Sequence, residues 1–135
     1  MKVPLLDINA QYSPILDEIR AEIEKVFATH AYNLGPQVKE FEEEIQRFCS
    51  VKHAIGCASG TDALLLALLS LNLGDGDEVI TTPFTFFATV SSIHRVGAKP
   101  VFIDVKPDTY NINPNEIEKA ITAKTKAIIV VHLFG

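Results

Sequence analysis

The chain has 135 residues, enough for a domain with a real core, and its 47% apolar and 21% charged residues are ordinary for a globular protein. A formal net charge of −5 speaks against a nucleic-acid backbone as partner. No apolar run is long enough to span a bilayer, and Met1-Lys2-Val3-Pro4-Leu5-Leu6-Asp7 meets its first acid too early for a signal peptide. Two cysteines, Cys49 and Cys57, suggest no disulfide framework and fit a reducing, cytoplasmic setting. The four histidines are scattered without zinc-like local spacing, so no metal site is expected.

Residues 1–12 read as an extended arm. Ser13-Pro14 then predicts a helix start, with Ser13 as N-cap and Pro14 at the first helical position. Ile15, Ile19, Ile23, Val26 and Phe27 recur at helical spacing and give one apolar face. Asn33-Leu34-Gly35-Pro36 breaks this helix and opens another, whose stripe is Val38, Phe41, Ile45 and Phe48. Glu42-Glu43-Glu44 reads as a solvated face.

From residue 53 strands and helices alternate. His53-Ala54-Ile55-Gly56-Cys57 is long enough for one buried strand, and a helix follows from Ser59 to the Gly74-Asp75-Gly76-Asp77 turn. Glu78 to Thr81 is the next strand. A mostly apolar helix spans Phe84 to Val96 and closes at Gly97. Pro100 to Val105 is a third strand, Asn113-Pro114-Asn115-Glu116 starts a short capped helix, and Ala127 to His132 is a fourth strand. The strands are apolar on both alternate sets, as in a parallel sheet covered on both faces. The last strand leads straight to Leu133-Phe134-Gly135, so the chain reads as the first part of a longer protein.

Ligands of open α/β sheets bind at the carboxyl ends of the strands. Here those ends carry Cys57 to Thr61, Thr82 to Phe86, Asp104 and His132. The first turn of a helix leaves N–H groups without partners and carries partial positive charge, which suits a phosphate. Gly60 would let a ligand approach the backbone, and Thr61 could add a hydroxyl donor. Taken alone, the same residues read first as a plain capped helix, with Ser59 as N-cap and Asp62 three residues on. Phe84 and Phe86 compete as an aromatic face beside the phosphate. Asp104 is as readily a turn cap as a ligand, and His132 reads as a hydrogen-bonded structural histidine before a catalytic one.

The ordered set A-S-G-T-D-A-L-L-L-A-L, G-D-G-D-E-V-I-T-T-P-F-T-F-F-A-T, G-A-K-P-V-F-I-D-V, T-Y-N-I-N-P and I-I-V-V-H-L-F-G resembles the DegT/DnrJ/EryC1/StrS family. The segments L-L-D-I-N-A-Q-Y and L-G-P-Q-V-K-E-F-E are similar to that family too. Its members are sugar aminotransferases that use pyridoxal 5′-phosphate on the aspartate aminotransferase fold. The resemblance implies an α/β fold, a mostly parallel sheet with helices on both faces, forming the N-terminal part of the large domain of that type I fold. Residues 1–52 would be an N-terminal arm with two helices, and residues 53–135 the start of the α/β cofactor domain.

By the same resemblance, Gly60, Thr61 and Asp62 line the cofactor phosphate, and Phe86 lies against the pyridine ring. No catalytic residue is expected in this chain. The lysine that bonds the cofactor lies later in the family, in a serine-rich stretch that none of the lysines here matches, so the chain alone should not transaminate. The complete protein would move an amino group from an amino-acid donor, glutamate, to a keto group of a nucleotide-linked sugar, for polysaccharide or antibiotic sugars. It would act as a cytoplasmic homodimer, with no nucleic acid or membrane partner. A sugar dehydratase of the same family, with histidine for lysine, shares this N-terminal region. A reading from another class is a non-catalytic α/β module in which Gly60 and Thr61 only hold a phosphate or nucleotide.

Overall fold

The computed structural model describes residue 3 and residues 5–133, which fall into two compact units divided after residue 56. The expectations for Phe134 and Gly135 lie outside the described residues.

The first unit is helical. Its arm is not wholly extended: Asp7 accepts a hydrogen bond from the Ala10 N–H at 3.0 Å and caps α1, Ile8–Tyr12. A short aspartate before a polar run is enough to start a turn there. Ser13 therefore follows a helix instead of opening one. Ser13–Ile15 form a single 3-10 turn around Pro14, and α2 runs from Leu16 to Thr29. It ends at His30 in the left-handed region, φ 53°. α3 spans Pro36–Cys49 with Pro36 in its first turn, and Gly35 is its N-cap. The predicted apolar stripes are present but not buried: Ile23, Phe27, Phe41 and Phe48 are all exposed, Phe48 at 87%. Glu42 departs from the solvated-face expectation. Its Oε1 accepts the Gly56 N–H at 2.6 Å and ties the segment after α3 back to the helix.

That tie coincides with a second correction. Residues 53–57 form no strand. Ile55 is 82% exposed, so the run gains nothing by burial, and the Gly56 amide is already spent on a side chain.

The second unit is the α/β part. α4 (Gly60–Ser70) leads to β1 (Glu78–Thr81), then α5 (Phe87–Arg95), β2 (Lys99–Phe102), α6 (Pro114–Ala120) and β3 (Thr125–Ile128). The sheet order is β2-β1-β3, and both pairings are parallel. Thus β1 is central, and its neighbours point the same carboxyl ends to one rim. Val79 and Ile80, adjacent in β1, face opposite sides and are both fully buried. Val79 packs with Leu68, Leu73, Ile93, Val96 and Ala98, the side of α4 and α5. Ile80 packs with Ile103 and Ile112, joined by Ile117 and Ala120 of α6. Two small cores, one on each face, are what a helix-covered parallel sheet requires.

β1 matches its predicted strand, whereas β2 and β3 overlap theirs but lie closer to the N-terminus. β2 stops at Phe102, because Val105 turns away to form an antiparallel bridge with Ile112. β3 begins earlier than Ala127 and stops at Ile128; one further bond, from the Ile129 N–H to the Ile80 carbonyl at 2.9 Å, closes the pairing. α5 starts at Phe87, not Phe84. The Thr82 hydroxyl accepts the Phe84 N–H at 3.2 Å and the Pro83 carbonyl accepts the Thr85 N–H at 3.1 Å, which makes residues 82–85 a tight turn. Gly97 closes the helix at φ 81° against the backbone of Gly74, a place where a side chain would be strained.

Candidate functional site

α4 begins where the sequence predicts, and its start is built by three residues. Ser59 is the N-cap, extended at φ −161° and ψ 164°. Its hydroxyl accepts the Asp62 N–H at 3.1 Å and donates to the Asp62 carboxylate at 2.8 Å. The cap thus consumes the third amide of the helix and leaves the amides of Gly60 and Thr61 at the open end. A Cβ added at Gly60 meets no atom within 4 Å, so the helix end faces free space. The carboxylate of Asp62 lies in the first turn and is held by Ser59, where it also complements the helix dipole.

The free space is a cavity of about 470 Å³. Gly60, Thr61 and Leu64 of α4 line one side, Thr85, Phe86 and Thr89 another, and Val131, His132 and Leu133 a third. Three of the four residues singled out for cofactor contact, Gly60, Thr61 and Phe86, share this cavity; Asp62 is not among its lining residues. Phe86 is 72% exposed, so its ring stands open to the cavity and to solvent. Phe84, its competitor, instead lies against Tyr110, with ring centroids 5.6 Å apart.

Of the other rim residues, His132 reaches the cavity and Asp104 does not. The Asp104 carboxylate accepts the amide of Val105 at 2.8 Å, the turn-capping outcome, and its carbonyl accepts the Asn113 amide at 3.0 Å. Sequence reasoning passed over Thr85 and Thr89. Their spacing of four across a helix start was the available signal, since it stacks the two side chains on one face.

A larger groove of about 690 Å³ runs along α2, lined by Ile15, Ile19, Ile23 and Val26 with Glu18 and Glu22. Its lining is mostly apolar, and Glu22 is occupied by Lys25 at 2.6 Å. Among the described residues no group of three or more His, Cys, Asp or Glu side chains could hold a metal ion.

A parallel sheet whose rim joins an uncovered helix end to an exposed aromatic ring defines an α/β protein with a rim suited to an anionic ligand. Comparison with known proteins narrows the class. A model of the DegT/DnrJ/EryC1/StrS aminotransferase family matches residues 14–135, and the chain belongs to that family. It is 50% identical to a pleiotropic regulatory protein of Geobacillus stearothermophilus, over 100% of this chain and 36% of that protein. It is 45% identical to the UDP-2-acetamido-2-deoxy-3-oxo-D-glucuronate aminotransferase of Pseudomonas aeruginosa, over 98% of this chain and 37% of that enzyme.

Among solved structures, a DegT DnrJ EryC1 StrS aminotransferase from Brucella abortus superposes with a TM-score of 0.94 at 43% identity, covering 99% of this chain and 38% of that one. NtdA of Bacillus subtilis with bound cofactor PMP superposes with a TM-score of 0.93 at 36% identity, covering 99% of this chain and 31% of that one. The fold is therefore the N-terminal part of these aminotransferases. The chain spans little more than a third of the length of the curated relatives it matches.

Proposed function

We propose that the complete protein is a pyridoxal-phosphate-dependent aminotransferase acting on a keto group of a nucleotide-linked sugar, with glutamate as donor. This chain supplies the phosphate cradle and one wall of the ring site. The observation that carries the reading is the single cavity that joins the open end of α4 to the Phe86 ring. The donor chemistry fits the cofactor: two backbone amides and a hydroxyl for a phosphate dianion, and an aromatic face for a flat heterocycle. When bound, pyridoxal phosphate supplies an electron sink and a carrier for the amino group.

The residues here then do the binding work. The Gly60 and Thr61 amides hold the phosphate, with the helix dipole behind them, and the Thr61 hydroxyl adds a third donor. Ser59 and Asp62 keep the first turn rigid, so those donors need not reorganise. Phe86 covers one face of the ring, excludes water from it and leaves the other face to the substrate. The lysine that handles the proton is assigned to the part of the protein after this chain, as is recognition of the sugar. A homodimer in the cytoplasm is the expected assembly.

The test uses the complete gene product. Supplied with pyridoxal phosphate, glutamate and a UDP-linked 3-oxo sugar, the class of substrate in the name of the Pseudomonas aeruginosa relative, it should release 2-oxoglutarate and the amino sugar, detected by mass spectrometry. Phe86→Ala should weaken pyridoxamine 5′-phosphate binding about five- to ten-fold by titration calorimetry. Tighter binding of a nucleotide than of pyridoxamine phosphate, with no effect of Phe86→Ala, would instead favour the non-catalytic phosphate-binding module.

A further inference from the structure

We infer that the hydroxyl pair Thr85–Thr89 is a positioning device for the Phe86 ring. The two Oγ atoms lie 2.8 Å apart. Thr85 stands one residue before Phe86 and Thr89 three after it, so the bond brackets the aromatic residue. Phe86 occupies the N-cap of α5, at φ −72° and ψ 148°, and its side chain makes no capping bond there. The ring is largely solvent-exposed, so side-chain packing does little to hold it. Its direction is set by the backbone, and the backbone is set by the bonds on either side.

Two bonds do this. The Phe86 carbonyl accepts the Thr89 N–H at 3.2 Å, and the hydroxyl pair ties Thr85 to the same residue. Thr89 is a firm anchor because it is 6% exposed and rooted in α5. Ser92, a turn further on and fully buried, donates to the Ala88 carbonyl at 2.7 Å and comes within 3.5 Å of the Thr61 carbonyl. The same face of α5 therefore borders the cradle turn of α4 and supports the ring. Thr85 and Thr89 also line the cavity, so the bond lies beside the space the ring must cover.

The inference rests on the reading of Phe86 as the ring face, and the experiment separates the two. In the complete gene product, the affinities for pyridoxamine 5′-phosphate and for inorganic phosphate are measured by calorimetry. The near-ultraviolet circular dichroism of the bound pyridoxamine phosphate reports ring orientation. Thr89→Val deletes the hydroxyl at nearly constant volume; Thr85→Val breaks the same bond from the half-buried side and is read in the same way should the first variant not fold. The expected result is about three- to ten-fold weaker pyridoxamine phosphate binding, an altered dichroism band, unchanged phosphate binding, and recovery in Thr89→Ser.

In a Phe86→Ala background the valine substitution should have no further effect. Equal weakening of both ligands, or an undiminished effect without the ring, would overturn the inference and leave a structural role. Unchanged binding in Phe86→Ala alone would overturn the reading of the site itself.

Discussion

Gly60 carries the sharpest consequence at the scale of a residue. It is the first residue of α4, where a proline is tolerated because the N–H has no partner within the helix. Ser59 before it is already extended, as a residue preceding proline prefers, and the space around Gly60 is open. Gly60→Pro should therefore leave the fold intact while deleting one cradle donor. Phosphate binding to the complete gene product, followed by calorimetry, should fall about ten-fold with little change in melting temperature. Much of this turn was legible from Ser59, Gly60 and Asp62 alone, since capping is local chemistry. The two readings of that turn turn out to be one: Asp62 serves the cap, and the cap leaves the amides of Gly60 and Thr61 exposed. That Phe86 lines the cavity while Phe84 lies against Tyr110 was not legible, because it depends on a turn closed by the Thr82 hydroxyl and on a ring distant in sequence.

Glu42 shows what an element-level pattern leaves out. The run of three glutamates reads as a wet helix face, yet one of them holds the chain that follows α3. Glu42→Ala should raise amide hydrogen exchange at Gly56 about five- to ten-fold and leave exchange in β1 unchanged. The strand predicted over residues 53–57 failed for a related reason. An apolar run says nothing about which backbone partner is available, and this amide is taken by a carboxylate. The central strand was legible because Val79 and Ile80 must be apolar on both faces. Strand ends were not, because β2 ends where Val105 pairs with Ile112 and β3 where pairing to β1 runs out. Propensity is local, whereas termination of a strand is a tertiary event.

Over the whole molecule, the parallel order β2-β1-β3 brings segments far apart in sequence to one rim. The helix end at Gly60, the turn at Phe86 and the residues after β3 meet around one cavity only because of that topology. The family resemblance pointed to Phe86 and to the start of α4, which share this cavity; the Thr85–Thr89 bond beside it came only with the structure. The central claim is that this cavity holds the phosphate and one face of a pyridine ring. The most direct measurement is a crystal structure of the complete gene product with pyridoxamine 5′-phosphate. The phosphate should lie on the amides of Gly60 and Thr61, with the ring along the Phe86 face. A phosphate bound away from the start of α4, or a ring with Phe86 turned out to solvent, would contradict it.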